Sequence, residues 1–234
     1  MREYTDSYVA FMDLLGFKSI LKSRDFKCED IARIFDEITT QYYVEENDHY
    51  YVEPGKIHFK VMSDSVCIYI DSSIENSLMA LILICTYFQI RLMRLPSPIL
   101  VRGGISKGNM YSSGDVLFGQ GLSDAYTLEN DVAKYPRIII PKNIVDDYYN
   151  TNKDSHSTQL LSGFLFEDFD EFYTINYPEL FTAWGYKPED GERIKKLIYD
   201  TLSNSRDPGI REKYLYLHSK ITPKINKAKE QNNE

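Results

Sequence analysis

The sequence predicts an α+β fold built on a ferredoxin-like βαββαβ core, and three observations predict it. Short apolar runs at residues 7–13, 57–61, 66–70 and 99–105 have strand character. Two stretches of helical periodicity, residues 27–44 and 72–94, separate the first run from the second and the third from the fourth. The second and third runs are joined tightly around Met62-Ser63-Asp64-Ser65, which reads as a hairpin. The order is therefore β-α-β-β-α-β.

Residues 7–13 (SYVAFMD) are mostly apolar, so this strand belongs at the centre of a sheet. Residues 14–17 turn the chain. In the stretch that follows, Ile31, Ile34, Phe35 and Ile38 recur at three and four residues, the period of a half-buried helix. Residues 53–56 (EPGK) are a turn before the hairpin. Residues 72–94 read as a long, strongly apolar helix ended by LPSP at 95–98. The strand at 99–105 runs into SKGN. Leu122, Ala125, Tyr126 and Leu128 or Glu129 space a further helix over 118–130, and residues 137–140 form a short strand, so an αβ extension follows the core.

The chain changes character near residue 150, which divides it into a domain over 1–150 and an extension over 151–234 packed on the same domain. Residues 150–158 are polar and read as a loop. Residues 163–177 mix Glu167, Asp168, Asp170 and Glu171 with Phe164, Phe166, Phe169, Phe172 and Tyr173, a pattern of local packing rather than of a site. Residues 192–202 and 210–225 read as helices, and 224–234 as a frayed end. The extension is expected to be a helical appendage.

Composition narrows the function classes. At 234 residues the chain can bury a substantial core, and its 43% hydrophobic and 26% charged residues are ordinary for a soluble domain. No apolar run approaches the ~18 residues of a membrane span, and residues 78–90 are better read as a buried helix. The N-terminal residues lack a signal-peptide pattern, so a cytoplasmic protein is expected. Cys28, Cys67 and Cys85 have no metal-type spacing, and their odd number argues against a disulfide framework. His49, His58, His156 and His218 are scattered, so zinc chemistry is not expected. A net charge of −8 disfavours nucleic acid as a partner, because phosphate contacts need clustered Lys and Arg. A small anion carried with its own divalent cation remains compatible with an acidic protein.

Two acidic motifs point to such a ligand. Asp13 in FMDLLGF and Asp64 in FKVMSDSVCIYI each close or interrupt an apolar strand run. A carboxylate at a buried strand end is costly to desolvate unless positive charge compensates it. The compensating group is an Arg, a Lys or a divalent cation; the alternative for either Asp alone is a turn cap. On adjacent strands the pair can hold Mg²⁺ or Mn²⁺, and through it a triphosphate. Arg102, inside an otherwise apolar strand, either pairs with an acidic core residue or contacts a substrate phosphate or base. Lys60 either points to solvent or serves a ligand. Arg137 either serves a phosphate or ends a loop beside Pro136.

In this order the motifs resemble the class III nucleotide cyclases, over roughly residues 8–140. FMDLLGF is similar to the family's first metal strand and turn, and KVMSDS to its Lys-x-x-Gly-Asp hairpin, with Ser63 in place of Gly. VRGGISKG resembles Arg-x-Gly-Ile-x-x-Gly, and FGQGLSDAYTLE resembles Trp-Gly-x-x-Val-Asn-x-Ala-x-Arg-x-Glu. The resemblance implies a nucleotidyl cyclase that takes a nucleoside triphosphate. It implies Mn²⁺ or Mg²⁺ held by Asp13, Asp64 and the Leu14 carbonyl, and β- and γ-phosphates cradled by the amides of Leu15, Gly16 and Phe17. It also implies that Lys60 reads the base bound by the partner of a head-to-tail homodimer. Ser123 and Thr127 replace the family's Asn and Arg, so Arg102 and Arg137 are the cations left to meet the transferring phosphate. RGGIS and LEN…AKYPRIII are most similar to the divergent bacterial cyclases of Pycsar antiphage defence. That similarity implies cyclic UMP or cyclic CMP as product and a separate cyclic-nucleotide-sensing effector protein as partner. A catalytically degenerate nucleotide- or protein-binding domain and an ordinary adenylate or guanylate cyclase are the alternatives.

Overall fold

The structure, a computed structural model, describes residues 4–22, 27–40, 52–152 and 156–231. Its first strand, β1 (Thr5–Leu15), alternates Tyr8, Ala10, Met12 and Leu14 on one face with Val9 and Phe11 on the other, and all are buried. A strand covered on both faces must be central, and β1 is. It pairs antiparallel with β3 (Ser65–Asp71) on one side and β4 (Leu100–Ser113) on the other, while β2 (Ile57–Met62) flanks β3. The order β2-β3-β1-β4, antiparallel throughout, is that of a ferredoxin-like sheet. The hairpin between β2 and β3 turns at Ser63, whose φ of 58° is left-handed. Gly takes that conformation freely, whereas another residue is strained by its Cβ.

The helical connections are α1 (Phe17–Ile20) and α2 (Cys28–Thr40) after β1, and α3 (Ser77–Met93) after β3. Residues 41–44, expected to continue α2, lie outside the described residues. α3 is apolar around most of its circumference because it is covered around most of it, Tyr87 being its one exposed residue. It lies on the Met12 face of the sheet and meets α2 and, from the C-terminal third, α6 (His156–Phe164) and α7 (Tyr177–Ala183). Among the described residues no helix is long and apolar enough to cross a membrane.

β4 is longer than its apolar stretch predicts. The hydrophobic pattern stops at Ile105, but pairing with β1 continues to Thr5 opposite Met110. It then folds back into β5 (Val116–Phe118), and α4 (Gln120–Thr127) continues directly as a π turn over Leu128–Val132. β6 (Ile138–Ile140) adds to the sheet parallel to β4.

The C-terminal third departs from the predicted helical appendage. α5 (Lys142–Thr151) and α6 occupy most of the stretch expected as a loop. β7 (Leu165–Glu167) and β8 (Tyr173–Ile175) form a hairpin that joins the sheet beside β6, giving the order β2-β3-β1-β4-β6-β8-β7. These strands have three residues each, too short for periodicity to register. α8 (Pro188–Asn204) and α9 (Pro208–Gln231) follow, and α9 continues well past Lys224, where fraying was expected. Phe181, Ile194, Leu217 and Ile221 are fully buried and belong to the same core as β1 and α3.

Candidate active site

Among the described residues the Phe11 face of the sheet is covered by α4 and the π turn that continues it, and the covering is close. On β4, Gly104, Ser106 and Gly108 face α4 in alternation. A Cβ at Gly104 would stand 2.9 Å from the Ala125 carbonyl oxygen, and one at Gly108 would stand 2.9 Å from the Gly121 nitrogen. Only glycine permits that approach. Between them the Ser106 hydroxyl donates to the Gly121 carbonyl at 2.6 Å. A small second core of Val9, Phe11, Cys67, Tyr69, Met110 and Ala125 fills the layer.

At the end of this face the apolar row on β1 gives way to Asp13. The register sets it opposite Arg102 on β4 and Ser65 on β3, so all three share a face. Asp64 stands next to Ser65 in the hairpin turn, and its carbonyl accepts the Leu14 N–H at 2.9 Å. The pairing thus brings the two predicted metal aspartates to one end of adjacent strands. Arg102 Nε lies 3.6 Å from Asp13 Oδ2 and 2.6 Å from Oε1 of Glu129, the second residue of the π turn. The closer contact is an ion pair by proximity: neither Arg102 Nε nor Glu129 Oε1 has a well-directed hydrogen bond.

Among the described residues, carboxylates outnumber cations here. Asp13, Asp64 and Glu129 interact with one another, and Arg102 is the guanidinium among them. Burial, opposed by Arg102 and assisted by Asp64, raises the Asp13 pKa; Lys213 on α9 adds a weaker attraction. Burial, with the charges of Asp13, Asp131 and Asp64 adding to it against Arg102, lifts Glu129 from its ordinary 4.5 to about 7. Such mutual repulsion is what a bound divalent cation relieves. Among the described residues no three His, Cys, Asp or Glu side chains form a ready-made metal centre. Two carboxylates with neighbouring main-chain oxygens nevertheless constitute a hard, oxygen-only donor set of the kind Mg²⁺ and Mn²⁺ take, with the remaining ligands supplied by substrate or water.

The other predicted residues divide. Leu14 is buried, and Leu15, Gly16 and Phe17 carry the chain from β1 into α1. Gly16 has a φ of 76° that suits glycine, and its carbonyl accepts the Ile20 N–H at 3.1 Å. Lys60 lies on the Asp13 face, opposite Cys67, and its ammonium donates to the Gly114 carbonyl at 2.9 Å. Ser123 and Thr127 are exposed on α4, and the Thr127 hydroxyl is spent on the Ser123 carbonyl at 2.9 Å.

Arg137 needs correction. It was expected to bind substrate, but it is fully buried and pairs with Asp168 at 2.8 Å and with both oxygens of Asp170. It is held among the rings of Tyr135, Phe169 and Tyr216. The acidic-aromatic stretch that looked like packing is its binding partner. Conversely, the sequence places Glu129 only in the spacing of a half-buried helix, and its contact with Arg102 appears only in the fold.

No family model and no curated protein matches the chain. Among solved structures it is similar to the guanylyl cyclase Cya2, at 12% identity over 62% of this chain and 78% of that one, with a TM-score of 0.42. It is similar to the adenylyl cyclase CyaB from Pseudomonas aeruginosa at 14% identity over 74% and 94%, with a TM-score of 0.43. It is similar, too, to the catalytic core of a rhodopsin-guanylyl cyclase with converted specificity, in complex with ATPalphaS, at 15% identity over 64% and 82%, with a TM-score of 0.43. Likenesses this loose transfer no role to any residue here.

Proposed function

We propose that this chain is a Mn²⁺- or Mg²⁺-dependent nucleotidyl cyclase that converts UTP or CTP to the 3′,5′-cyclic monophosphate and pyrophosphate. The observation that carries the reading is the cluster of carboxylates, Asp13, Asp64 and Glu129, that the strand pairing and the π turn gather around Arg102. The resemblance of four motifs in order supports the reaction class, and RGGIS with AKYPRIII supports the pyrimidine base and a signalling role in antiphage defence.

Cyclisation requires the ribose 3′-hydroxyl to attack the α-phosphate while pyrophosphate leaves, so positioning and charge neutralisation carry the catalysis. A bound divalent ion would lower the pKa of the attacking hydroxyl and neutralise the triphosphate. Asp13, Asp64 and the Leu14 carbonyl would hold it. The amides of Leu15, Gly16 and Phe17 would receive the outer phosphates. Arg102, with Arg137 buried elsewhere, would meet the charge developing on the phosphate. In a homodimer Lys60 would exchange the Gly114 carbonyl for the partner's nucleobase. The product would act on a separate effector protein in the cytoplasm.

The test is incubation of purified protein with each of the four nucleoside triphosphates and Mn²⁺, followed by mass spectrometry for cyclic product. Cyclic UMP or cyclic CMP is expected. Asp64→Ala should abolish turnover with an unchanged circular dichroism spectrum, and retained activity removes Asp64 from the site. A second reading, a degenerate domain that binds nucleotide without turning it over, draws on Thr127 spending its hydroxyl on its own helix. Thermal stabilisation by nucleotide with no product would favour it, and preferential use of ATP or GTP would mark an ordinary adenylate or guanylate cyclase.

A further inference from the structure

Glu129 is the feature this chemistry leaves unexplained. Its side chain is only 4% exposed, and its counter-charge is Arg102. The chain goes to some length to place it. α4 ends in a π turn, which inserts a residue into the helical ladder, re-aims the side chains that follow and recurs at functional sites. The turn settles over Gly104, where any Cβ would stand 3.2 Å from the Glu129 nitrogen. Arg102 is consequently nearer to Glu129, at 2.6 Å, than to Asp13, at 3.6 Å. If Glu129 lost its charge, Asp13 would become the nearest carboxylate, and the guanidinium would occupy the group that must hold the metal.

We propose that Glu129 is a positioning residue that draws Arg102 off Asp13 and so keeps Asp13 open to a divalent cation. The inference rests on the cyclase reading for the role of Asp13, but it concerns cation binding in the absence of nucleotide and can be read without turnover. It also predicts opposite behaviour for two neighbouring residues. Arg102→Met removes the competitor and should tighten Mn²⁺ binding, whereas Glu129→Gln releases the competitor and should weaken it.

The experiment titrates Mn²⁺ into the nucleotide-free, full-length protein and follows free Mn²⁺ by electron paramagnetic resonance. It compares the wild type, Glu129→Gln, Arg102→Met and the double variant, with Asp13→Asn as control. Glu129→Gln should weaken binding about tenfold, and that effect should vanish once Arg102 is Met, because coupled residues are non-additive. An equal weakening with and without Arg102 would show that Glu129 acts directly as a charge on the metal, and no weakening would show that it does nothing; either overturns the proposal. If Glu129→Gln does not fold, Glu129→Asp retains the charge and shortens the reach, and it should weaken binding only when Arg102 is present. Binding that is lost in Asp13→Asn but indifferent to Glu129 overturns this inference alone. Absence of binding, or binding that survives Asp13→Asn, overturns the metal-site reading along with it.

Discussion

Two arginines in this chain each stand between two carboxylates, and they serve opposite ends. Arg137 donates to Asp168 and to both oxygens of Asp170. Asp168 in turn accepts from Lys220 at 2.7 Å, the Tyr216 hydroxyl at 2.6 Å and the Phe169 N–H at 3.0 Å. Two cations meet two anions, and Tyr135 stacks on Tyr216 at 4.7 Å to help seal the cluster. Arg102 lies 3.6 Å from Asp13 and 2.6 Å from Glu129, the latter contact lacking a well-directed hydrogen bond, and Asp64 adds its negative charge to both carboxylates. The Arg137 cluster is balanced in charge and closed to solvent at Arg137 and Asp168, with Arg137 Nε its one guanidinium nitrogen left without a hydrogen-bond partner among the described residues. The Arg102 cluster holds more carboxylates than cations among the described residues and is partly open to solvent. The difference teaches that buried charge is a sign of function only after its partners have been counted.

The largest expected effect breaks the Arg137 cluster. Asp168→Ala leaves Arg137 and Lys220 without their shared anion, and removing one member of a buried pair costs about 3–5 kcal/mol. Urea unfolding should show that loss, whereas Arg102→Met, which relieves no such balance, should cost far less. A comparable loss from both would mean that the two arginines are equally structural.

The next effect sharpens the contrast through pH, because the two clusters shift carboxylates in opposite directions. Burial pushes Asp168 up, but hydrogen bonds from Lys220, Tyr216 and the Phe169 N–H outweigh it and hold the carboxyl below its ordinary range. Its contribution is therefore present above its ordinary value and lost as pH falls through the lower, folded one. Glu129 runs the other way. With a folded value of about 7 against an ordinary 4.5, the folded protein binds the extra proton between them, so stability falls as pH rises through that window. The slope is at most about 1.4 kcal/mol per pH unit. Metal-free melts should show this decline between pH 4.5 and 7, and Glu129→Gln should flatten it while Asp168→Asn leaves it in place.

The smallest effect concerns the backbone that presents Asp64. Ser63→Gly relieves a left-handed serine and should stabilise the protein by a few tenths to about 1 kcal/mol, since strain relief is partly offset by glycine's greater unfolded freedom. A loss of stability would mean that the Ser63 side chain contributes more than its strain.

The core was legible because it depends on local pattern. The apolar runs around Phe11, Ile68 and Val101 and the mostly apolar helix 77–93 specify a central strand, a hairpin and a buried helix wherever they occur. The short strands around Phe166 and Thr174 were not legible, because three residues have no period and only their pairing with β6 makes them a sheet. Asp13 and Asp64 were legible as exceptions to apolar runs, and the positive φ at Ser63 explains why that position in the hairpin is one for Gly.

The sequence by itself determined the βαββαβ order and the two aspartates at strand ends, because hydrophobic periodicity and a misplaced charge are properties of neighbouring residues. Which arginine stands beside Asp13 was decided only in three dimensions. Arg102 and Arg137 look alike along the chain, each beside apolar strand residues, and their fates depend on carboxylates 27 and 31 to 33 residues away. The sheet register and the π turn bring Glu129 to one, the β7–β8 hairpin brings Asp168 and Asp170 to the other, and the electrostatic balance of each follows from those distant pairings.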